Sequence, residues 1–198
     1  MRAAPGDPAP AIFMDRDGTL SHEVGYVNHV SRFRLYPWAV EAVRLANRNG
    51  FLSVVITNQA GVARGYFPES VIHEVHAALN ASMEAGGARL AAIYYCPHHP
   101  SAGEPPYRKD CDCRKPKPGL LRRAEADLGV DLARSFVVGD RLGDLELAWA
   151  VGATGVLVKS GYGLGELTYH APSWPRQPDL VADHLLEAVE RIVSAARG

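Results

Sequence analysis

Cysteine is scarce in this chain, with only three residues among 198. An odd number of cysteines does not supply a disulfide framework, and two of them, Cys111 and Cys113, are separated by a single residue. This spacing is typical of a metal site rather than of a secreted domain held together by disulfides. An excess of either charge is also missing, because 21 Lys and Arg balance 22 Asp and Glu to a net charge of -1. The one short basic cluster, residues 114–117, lies beside the cysteine pair, so we expect no nucleic acid partner.

Long hydrophobic runs are missing too, and no stretch is apolar enough for long enough to cross a bilayer. Residues 1–10 are rich in Ala, Pro and Gly and lack the charged-then-apolar order of a signal peptide. We therefore expect a cytoplasmic protein with no membrane partner and a flexible lead over residues 1–10. Because hydrophobic residues make up 47% of the chain and no linker, repeat or sustained heptad occurs, we expect one domain over 1–198 and a monomer.

Short apolar segments alternate with helical patterns along the chain. The predicted strands are 11–14, 51–56, 90–95, 135–138 and 155–159, and the predicted helices are 39–48, 69–84, 118–128, 145–151 and 180–196. Strands that alternate with helices in this way predict an α/β fold, a Rossmann-like three-layer sandwich around a mostly parallel sheet. Residues 162–178 are expected to be irregular.

Polar residues stand at the ends of three predicted strands. Asp15 and Asp17 follow the first strand, Thr57 the second and Asp140 the fourth. The carboxyl ends of parallel strands share one edge of a sheet, so these side chains should converge there. One carboxylate of such a pair can attack phosphorus, and the other can protonate the leaving oxygen and later activate water. With Asp140 they form an oxygen site suited to Mg²⁺, and Thr57, backbone amides and Lys115 can stabilise phosphoryl charge.

A second candidate metal site lies in the loop 96–117, which is rich in Pro and Gly. This loop contains all three cysteines and two histidines: Cys96, His98, His99, Cys111 and Cys113. Three thiolates and one imidazole form a closed tetrahedral zinc site, whose role is structural because no position is left open for water. The spacing does not decide which histidine is the fourth ligand. A bound zinc ion would fix the loop and thereby place Arg114 and Lys115 at the catalytic edge.

The ordered set of these residues resembles the four motifs of the haloacid dehalogenase superfamily, over nearly the whole chain. The matching segments are 15–19, 57–58, Lys115 and 139–144. The resemblance implies that Asp15 is the nucleophile and that Asp17 is the general acid and base. It also implies that Mg²⁺ is held by Asp15, the backbone carbonyl of Asp17 and Asp140, and that Asp144 braces the site. The second aspartate implies a phosphatase rather than a dehalogenase.

The segments 25–27, 57–65, 94–100 and 111–116 are similar to those of the zinc-containing heptose 1,7-bisphosphate 7-phosphatases of that superfamily. This resemblance implies removal of the 7-phosphate from a small sugar bisphosphate during the synthesis of nucleotide-activated heptose. It further implies that a large cap domain is lacking and that His98 is the fourth zinc ligand. The substrate contacts that it implies are Glu23, Val24, Gly25, Tyr26, Asn58, Gln59, Arg114 and Arg141.

Three other functions compete with this one. Histidinol-phosphate phosphatases carry a similar zinc loop, although an ammonium-bearing substrate would favour an acidic pocket over Arg114 and Arg141. A nucleic-acid end phosphatase would need a basic groove with aromatic stacking surfaces. A catalytically inactive, zinc-stabilised interaction module would be expected to lack Asp15 or Asp17. Glu23 and Lys117 depart from the pattern of the heptose enzymes, which leaves the preferred anomer open.

Overall fold

A computed structural model describes residues 8–197, so most of the predicted flexible lead lies outside the described residues. Six parallel strands form one sheet in the order β3-β2-β1-β4-β5-β6. The strands are β1 (Ala11–Met14), β2 (Leu52–Asn58), β3 (Ala92–Cys96), β4 (Phe136–Gly139), β5 (Thr154–Val158) and β6 (Leu180–Ala182).

Helices cover both faces of this sheet. They are α1 (Ala39–Arg48), α2 (Glu69–Ala85), α3 (Gly119–Leu128), α4 (Leu142–Trp149), the single turn α5 (Gly163–Gly165) and α6 (Leu185–Ala195). Across the described chain, every helix is too short or too polar to span a bilayer. The predicted α/β sandwich is confirmed, and the sheet is parallel throughout the residues described.

Side chains of the central strand alternate between two hydrophobic cores. Ile12 and Met14 pack with α1 and α6 on one face, whereas Ala11 and Phe13 pack with α3 and α4 on the other. Because all four residues of β1 are fully buried, this strand reads as a continuous apolar run rather than an alternating one. A third, smaller cluster that includes Val27, Val62 and Phe67 supports the loops above the carboxyl edge.

The chain leaves the sheet at the point where the strand order reverses, between β1 and β4. The Asp15 amide donates to the Val138 carbonyl at 2.9 Å, so the ladder between these strands extends to the first polar residue. In open α/β sheets, the crevice at this reversal is where ligands bind. The fold therefore places the Asp15 side chain at the carboxyl edge, beside the ends of β2 and β4.

The end of the chain departs from the sequence-based expectation. The predicted helix 180–196 is wrong over its first residues, since Leu180–Ala182 pairs with β5 as an edge strand. The α6 helix begins only at Leu185, because His184 is its N-cap and its Nδ1 accepts the Glu187 amide at 3.3 Å. The segment 162–178, expected to be irregular, holds short helical turns over residues 163–173.

Candidate active site and metal centres

A cavity of about 390 Å³ opens at the carboxyl edge of the sheet. The structure brings most of the predicted site residues to its wall. Those residues are Asp15, Asp17, Glu23, Gly25, Tyr26, Thr57, Asn58, Gln59, Arg114, Lys115 and Arg141. Val24 does not line this cavity but an adjoining one, together with Arg32 and Arg34. Asp140 lies below the floor and is only 1% exposed.

A buried cation stands between two carboxylates at the floor. The Lys115 Nζ lies 2.9 Å from Asp15 Oδ1 and 2.7 Å from Asp144 Oδ1, and it donates to the Ile56 carbonyl at 3.2 Å. Burial alone would lower the pKa of Lys115, but the two carboxylates outweigh it and raise the pKa. Lys115 is therefore charged and faces Asp15.

The backbone of Lys115 is fixed by the end of β2. Asn58 accepts the Lys115 amide at 3.1 Å and donates its side-chain amide to the Lys115 carbonyl at 3.2 Å. This reciprocal pair connects residues that are far apart in sequence. Asn58, predicted as a substrate contact, thus holds the loop that supplies the lysine. Its neighbour Thr57 accepts the Gln59 side-chain amide at 2.8 Å.

Asp140 is enclosed by glycines from two other loops. A Cβ on Gly18 would come within 2.1 Å of Asp140 Oδ2, and one on Gly161 within 2.2 Å. The backbone amide of Tyr162 donates to the same oxygen at 2.8 Å, whereas Oδ1 is buried without a hydrogen-bond partner among the described residues. Burial, together with Asp15 and Asp144, raises the pKa of Asp140 to about 8.

These carboxylates fit a magnesium ion. Oxygen atoms of Asp15, Asp140 and Asp144 lie within 4.8 Å of one another. Burial, opposed in part by Lys115, raises the pKa of Asp15 to about 6. Asp140 Oδ1 is buried without a hydrogen-bond partner among the described residues, and the carboxylates of Asp15 and Asp144 lie close by. Carboxylate oxygens of this kind are the ligands that a hard divalent cation such as Mg²⁺ prefers. Asp144 differs from the other two, because Lys115 and the Arg141 amide already occupy its oxygens.

Asp17 is held by three side chains. Arg16 donates to both of its oxygens, at 3.1 and 2.8 Å, and Gln59 donates to Oδ2 at 2.9 Å. The Ser21 hydroxyl lies 3.3 Å from Oδ1. The Asp17 side chain is 22% exposed, so it remains accessible from the cavity.

Two arginines line the cavity on its outer side. The Arg141 guanidinium lies 3.8 Å from the centre of the Tyr162 ring, within the range of a cation–π contact. Arg114 donates to the His98 carbonyl at 3.2 Å and thereby connects the cysteine loop to the cavity. Burial raises the pKa of Glu23, although the charge of Arg141 opposes this. The cavity thus combines a cationic outer wall with an acidic floor.

Tyr162 and Ser160 were missed in the sequence. Both follow β5, the fifth strand to end at this edge, and Ser160 Oγ donates to the Gly18 carbonyl at 2.6 Å. The run Ser160-Gly161-Tyr162-Gly163 is a glycine-rich turn directly after a buried strand, which is the signal that could have found it. His76, in the middle of α2, gives no such signal, yet it lies 3.4 Å from Arg16.

The cysteine loop closes around four ligand atoms, those of Cys96, His98, Cys111 and Cys113. The Sγ–Sγ separations are 3.5, 3.2 and 3.2 Å, and His98 Nδ1 lies 3.3 Å from the Cys113 sulfur. Thiolates at about 2.3 Å from a tetrahedral zinc ion would be about 3.8 Å apart, close to these values. The four residues are therefore consistent with a zinc site.

His99 faces away from this cluster. Its Nε2 lies 2.9 Å from the Arg64 guanidinium, and its Nδ1 accepts the amides of Ser101 and Ala102 at 3.2 and 3.0 Å. The structure thus places His98, and not its neighbour, with the thiols, a choice that the spacing alone had left open.

Comparisons with known proteins agree with this geometry. A family model described as HAD-hydrolase-like matches residues 112–188. The D-glycero-beta-D-manno-heptose-1,7-bisphosphate 7-phosphatase of Escherichia coli K12 is 40% identical over 166 residues, which cover 83% of this chain and 87% of the relative. Its counterpart from Photorhabdus laumondii is 42% identical over 153 residues, covering 77% and 81%.

A solved structure is similar over nearly the whole chain. The D,D-heptose 1,7-bisphosphate phosphatase of B. bronchiseptica, complexed with magnesium and phosphate, superposes with a TM-score of 0.83 at 29% identity. The match covers 94% of this chain and 99% of that one.

The geometry of the cysteine loop predicts that His98 and His99 differ in their effect on zinc binding. We expect Cys111→Ser and His98→Gln to reduce bound zinc well below one ion per chain, because each removes a ligand from a closed site, and to lower the melting temperature. The control His99→Gln should keep its zinc, since that ring contacts Arg64 instead. Metal content is measured by mass spectrometry on the purified variants. Full zinc in His98→Gln would contradict the ligand set.

The buried ion pair of Lys115 predicts a large effect of its removal on the free energy of unfolding. Lys115→Met leaves Asp15 and Asp144 buried without their cation, so we expect a loss of about 3 kcal/mol in the free energy of unfolding, measured in urea without magnesium. Added Mg²⁺ should restore part of this loss, because it binds only the folded chain. The control Lys117→Met breaks an exposed pair with Asp110 and should change stability by less than about 1 kcal/mol. Equal effects at the two positions would contradict the assignment.

Proposed function

The chain belongs to the heptose 1,7-bisphosphate 7-phosphatases of the haloacid dehalogenase superfamily, which are Mg²⁺-dependent, and we propose that it hydrolyses the 7-phosphate of D-glycero-β-D-manno-heptose 1,7-bisphosphate. The observation that carries this proposal is the pairing of Asp15 with Lys115 at the floor of a cavity whose outer wall holds Arg114 and Arg141. The β-anomer follows from the relatives, which are named for it.

In the proposed reaction, an Asp15 oxygen attacks the phosphorus of the 7-phosphate. The bond from phosphorus to the sugar oxygen breaks, and Asp17 donates a proton to that oxygen as it leaves. The resulting aspartyl-phosphate is hydrolysed when Asp17, now a carboxylate, takes a proton from the attacking water. Phosphate is released and Asp15 is restored.

The remaining residues stabilise charge on the transferring group. Thr57 and Lys115 line the cavity with Asp15, so the Thr57 hydroxyl can donate to a phosphoryl oxygen and the Lys115 ammonium supplies positive charge beside it. Asp15, the backbone carbonyl of Asp17 and Asp140 would hold the Mg²⁺, which would offset repulsion between the carboxylates and the phosphate. Asp144 holds Lys115 rather than the metal.

The outer wall suits the second phosphate of the substrate. Arg114 and Arg141 present planar guanidinium groups, which bind phosphate through paired N–H donors. Glu23, Gly25 and Tyr26 line the same cavity and are placed to contact the sugar. Histidinol phosphate, the competing substrate, carries an ammonium group that this cationic wall would repel.

We further propose that the enzyme acts as a single domain and as a monomer in the cytoplasm. Most of the residues assigned to the reaction line one cavity within a single chain, which supports a monomer. A sugar bisphosphate does not cross membranes unaided, which supports action in the compartment where nucleotide-activated sugars are made.

Phosphate release from a small panel of substrates tests the proposal. The panel contains the α- and β-anomers of the heptose 1,7-bisphosphate and histidinol phosphate, each with Mg²⁺. We expect the highest kcat/KM on the β-anomer and no turnover in Asp15→Asn, whose circular dichroism should match that of the unchanged protein. Preference for histidinol phosphate would overturn the substrate, and normal turnover in Asp15→Asn would overturn the nucleophile.

The proposed contact between Arg141 and the second phosphate can be tested separately. Arg141→Met should raise KM for the bisphosphate by about 10- to 100-fold, the effect of losing one charged hydrogen bond. Turnover of heptose 7-phosphate, which lacks the second phosphate, should change little. The control Arg122→Met removes an exposed arginine on α3 that pairs with Glu125, and it should affect neither substrate. Equal losses on both sugars would contradict a role for Arg141 at the second phosphate.

A further inference from the structure

Arg16 is a fully buried arginine next to the catalytic pair, with an exposure of 1%. Its Nε donates to Asp17 Oδ1 at 3.1 Å and one terminal nitrogen donates to Oδ2 at 2.8 Å. A guanidinium that holds both oxygens through parallel N–H groups fixes the plane of the carboxylate as well as its position. A single hydrogen bond, such as that from Gln59, would leave the carboxylate free to rotate.

His76 supports this arginine from behind. Its Nε2 lies 3.4 Å from the second terminal nitrogen of Arg16, and the residue is 8% exposed on α2. Because a guanidinium has only donors, the histidine must accept through Nε2 and carry its proton on Nδ1. Burial, followed by the charge of Arg16, lowers the pKa of His76 to about 3, although Asp17 acts in the other direction. His73 and the edge of the Tyr95 ring, whose centre is 5.6 Å from that of His76, are its other titratable neighbours.

We propose that Arg16 and His76 are positioning residues that hold the Asp17 carboxylate in the orientation required for proton transfer. This inference rests on the proposed role of Asp17 as general acid and base. Neither residue lines the cavity, so both act through Asp17 rather than on the substrate directly. When Asp17 gives its proton to the departing sugar oxygen, the Arg16 donors stabilise the carboxylate that is left behind. His76 fixes Arg16 and leaves the two donors that face Asp17 free to hold it.

Comparing two substrates with different leaving groups distinguishes a positioning role from a purely structural one, because a general loss of structure would lower kcat/KM on both substrates alike. The sugar oxygen is a poor leaving group and needs a proton, whereas p-nitrophenolate leaves as a stable anion. The ratio kcat/KM covers the steps up to departure of this group. A misplaced Asp17 should therefore lower kcat/KM far more on the heptose bisphosphate than on p-nitrophenyl phosphate. The variant Asp17→Asn, which removes the proposed general acid, shows how large this difference between the substrates can become.

Four variants of Arg16 and His76 test the positioning role. Since general acid catalysis contributes about 10²- to 10⁴-fold, we expect Arg16→Met to lose about 100-fold on the bisphosphate and His76→Leu about 10-fold. Both should lose far less on p-nitrophenyl phosphate. His76→Gln, whose amide oxygen can still accept from Arg16, should recover most of the activity, and Arg16→Lys should not, because it lacks the fork. The control His73→Leu changes an exposed histidine on the same helix and should resemble the unchanged enzyme.

The possible outcomes separate this inference from the function on which it rests. Equal losses on the two substrates, or no loss in His76→Leu, would overturn the positioning role while Asp17→Asn still shows the difference. If Asp17→Asn itself affects both substrates equally, the general acid role fails and the inference fails with it. Should Arg16→Met not fold, His76→Leu and His76→Gln decide the question alone.

Discussion

The contact on which the site depends is the buried ion pair between Lys115 and the carboxylates of Asp15 and Asp144. Isolated, each of these charges would be strongly unfavourable so far from water, and burial raises the pKa of Asp15 to about 6 even though Lys115 opposes the rise. The lysine thus offsets part of that cost and favours the charged form of the Asp15 carboxylate, which lines the cavity. Asp15 and Lys115, the proposed nucleophile and phosphate ligand, are thus parts of one electrostatic unit, in which neither group would be stable alone.

The cysteine loop gives that unit its geometry. Cys113 is two residues from Lys115, so a metal held by Cys96, His98, Cys111 and Cys113 would fix the chain immediately before that lysine. Asn58 then holds the lysine backbone from the β2 side. Pro- and Gly-rich loops of this length bury little apolar surface, and a structural ion replaces the missing core. A zinc ion bound there would act on the proposed reaction through position and not through chemistry.

Much of this arrangement could be predicted from the sequence, because strand ends in a parallel sheet converge whatever the loops do. Asp15, Thr57 and Asp140 followed from that rule, and the cysteine spacing pointed to the second metal. The glycine-rich turn after β5 could have drawn attention to Tyr162, but its contacts could not be predicted, since a backbone amide reaches Asp140 and the Arg141 guanidinium lies over its ring. The contact between His76 and Arg16 could not be predicted for a related reason. It arises from packing between α2 and the loop after β1, and no local sequence pattern indicates such packing. The edge strand β6 was missed because three apolar residues before a helix fit either structure.

In the proposed reaction, a carboxylate of the protein, and not water, makes the first bond to phosphorus. The stereochemical course of hydrolysis tests it most directly, with the heptose bisphosphate carrying a 7-phosphorothioate made chiral at phosphorus by oxygen isotopes, because its hydrolysis in water of a further oxygen isotope gives a chiral inorganic thiophosphate. Two successive in-line displacements, first by Asp15 and then by water, predict overall retention of configuration at phosphorus. Inversion would mean that water attacks the substrate directly, and it would contradict the assignment of Asp15 as the nucleophile.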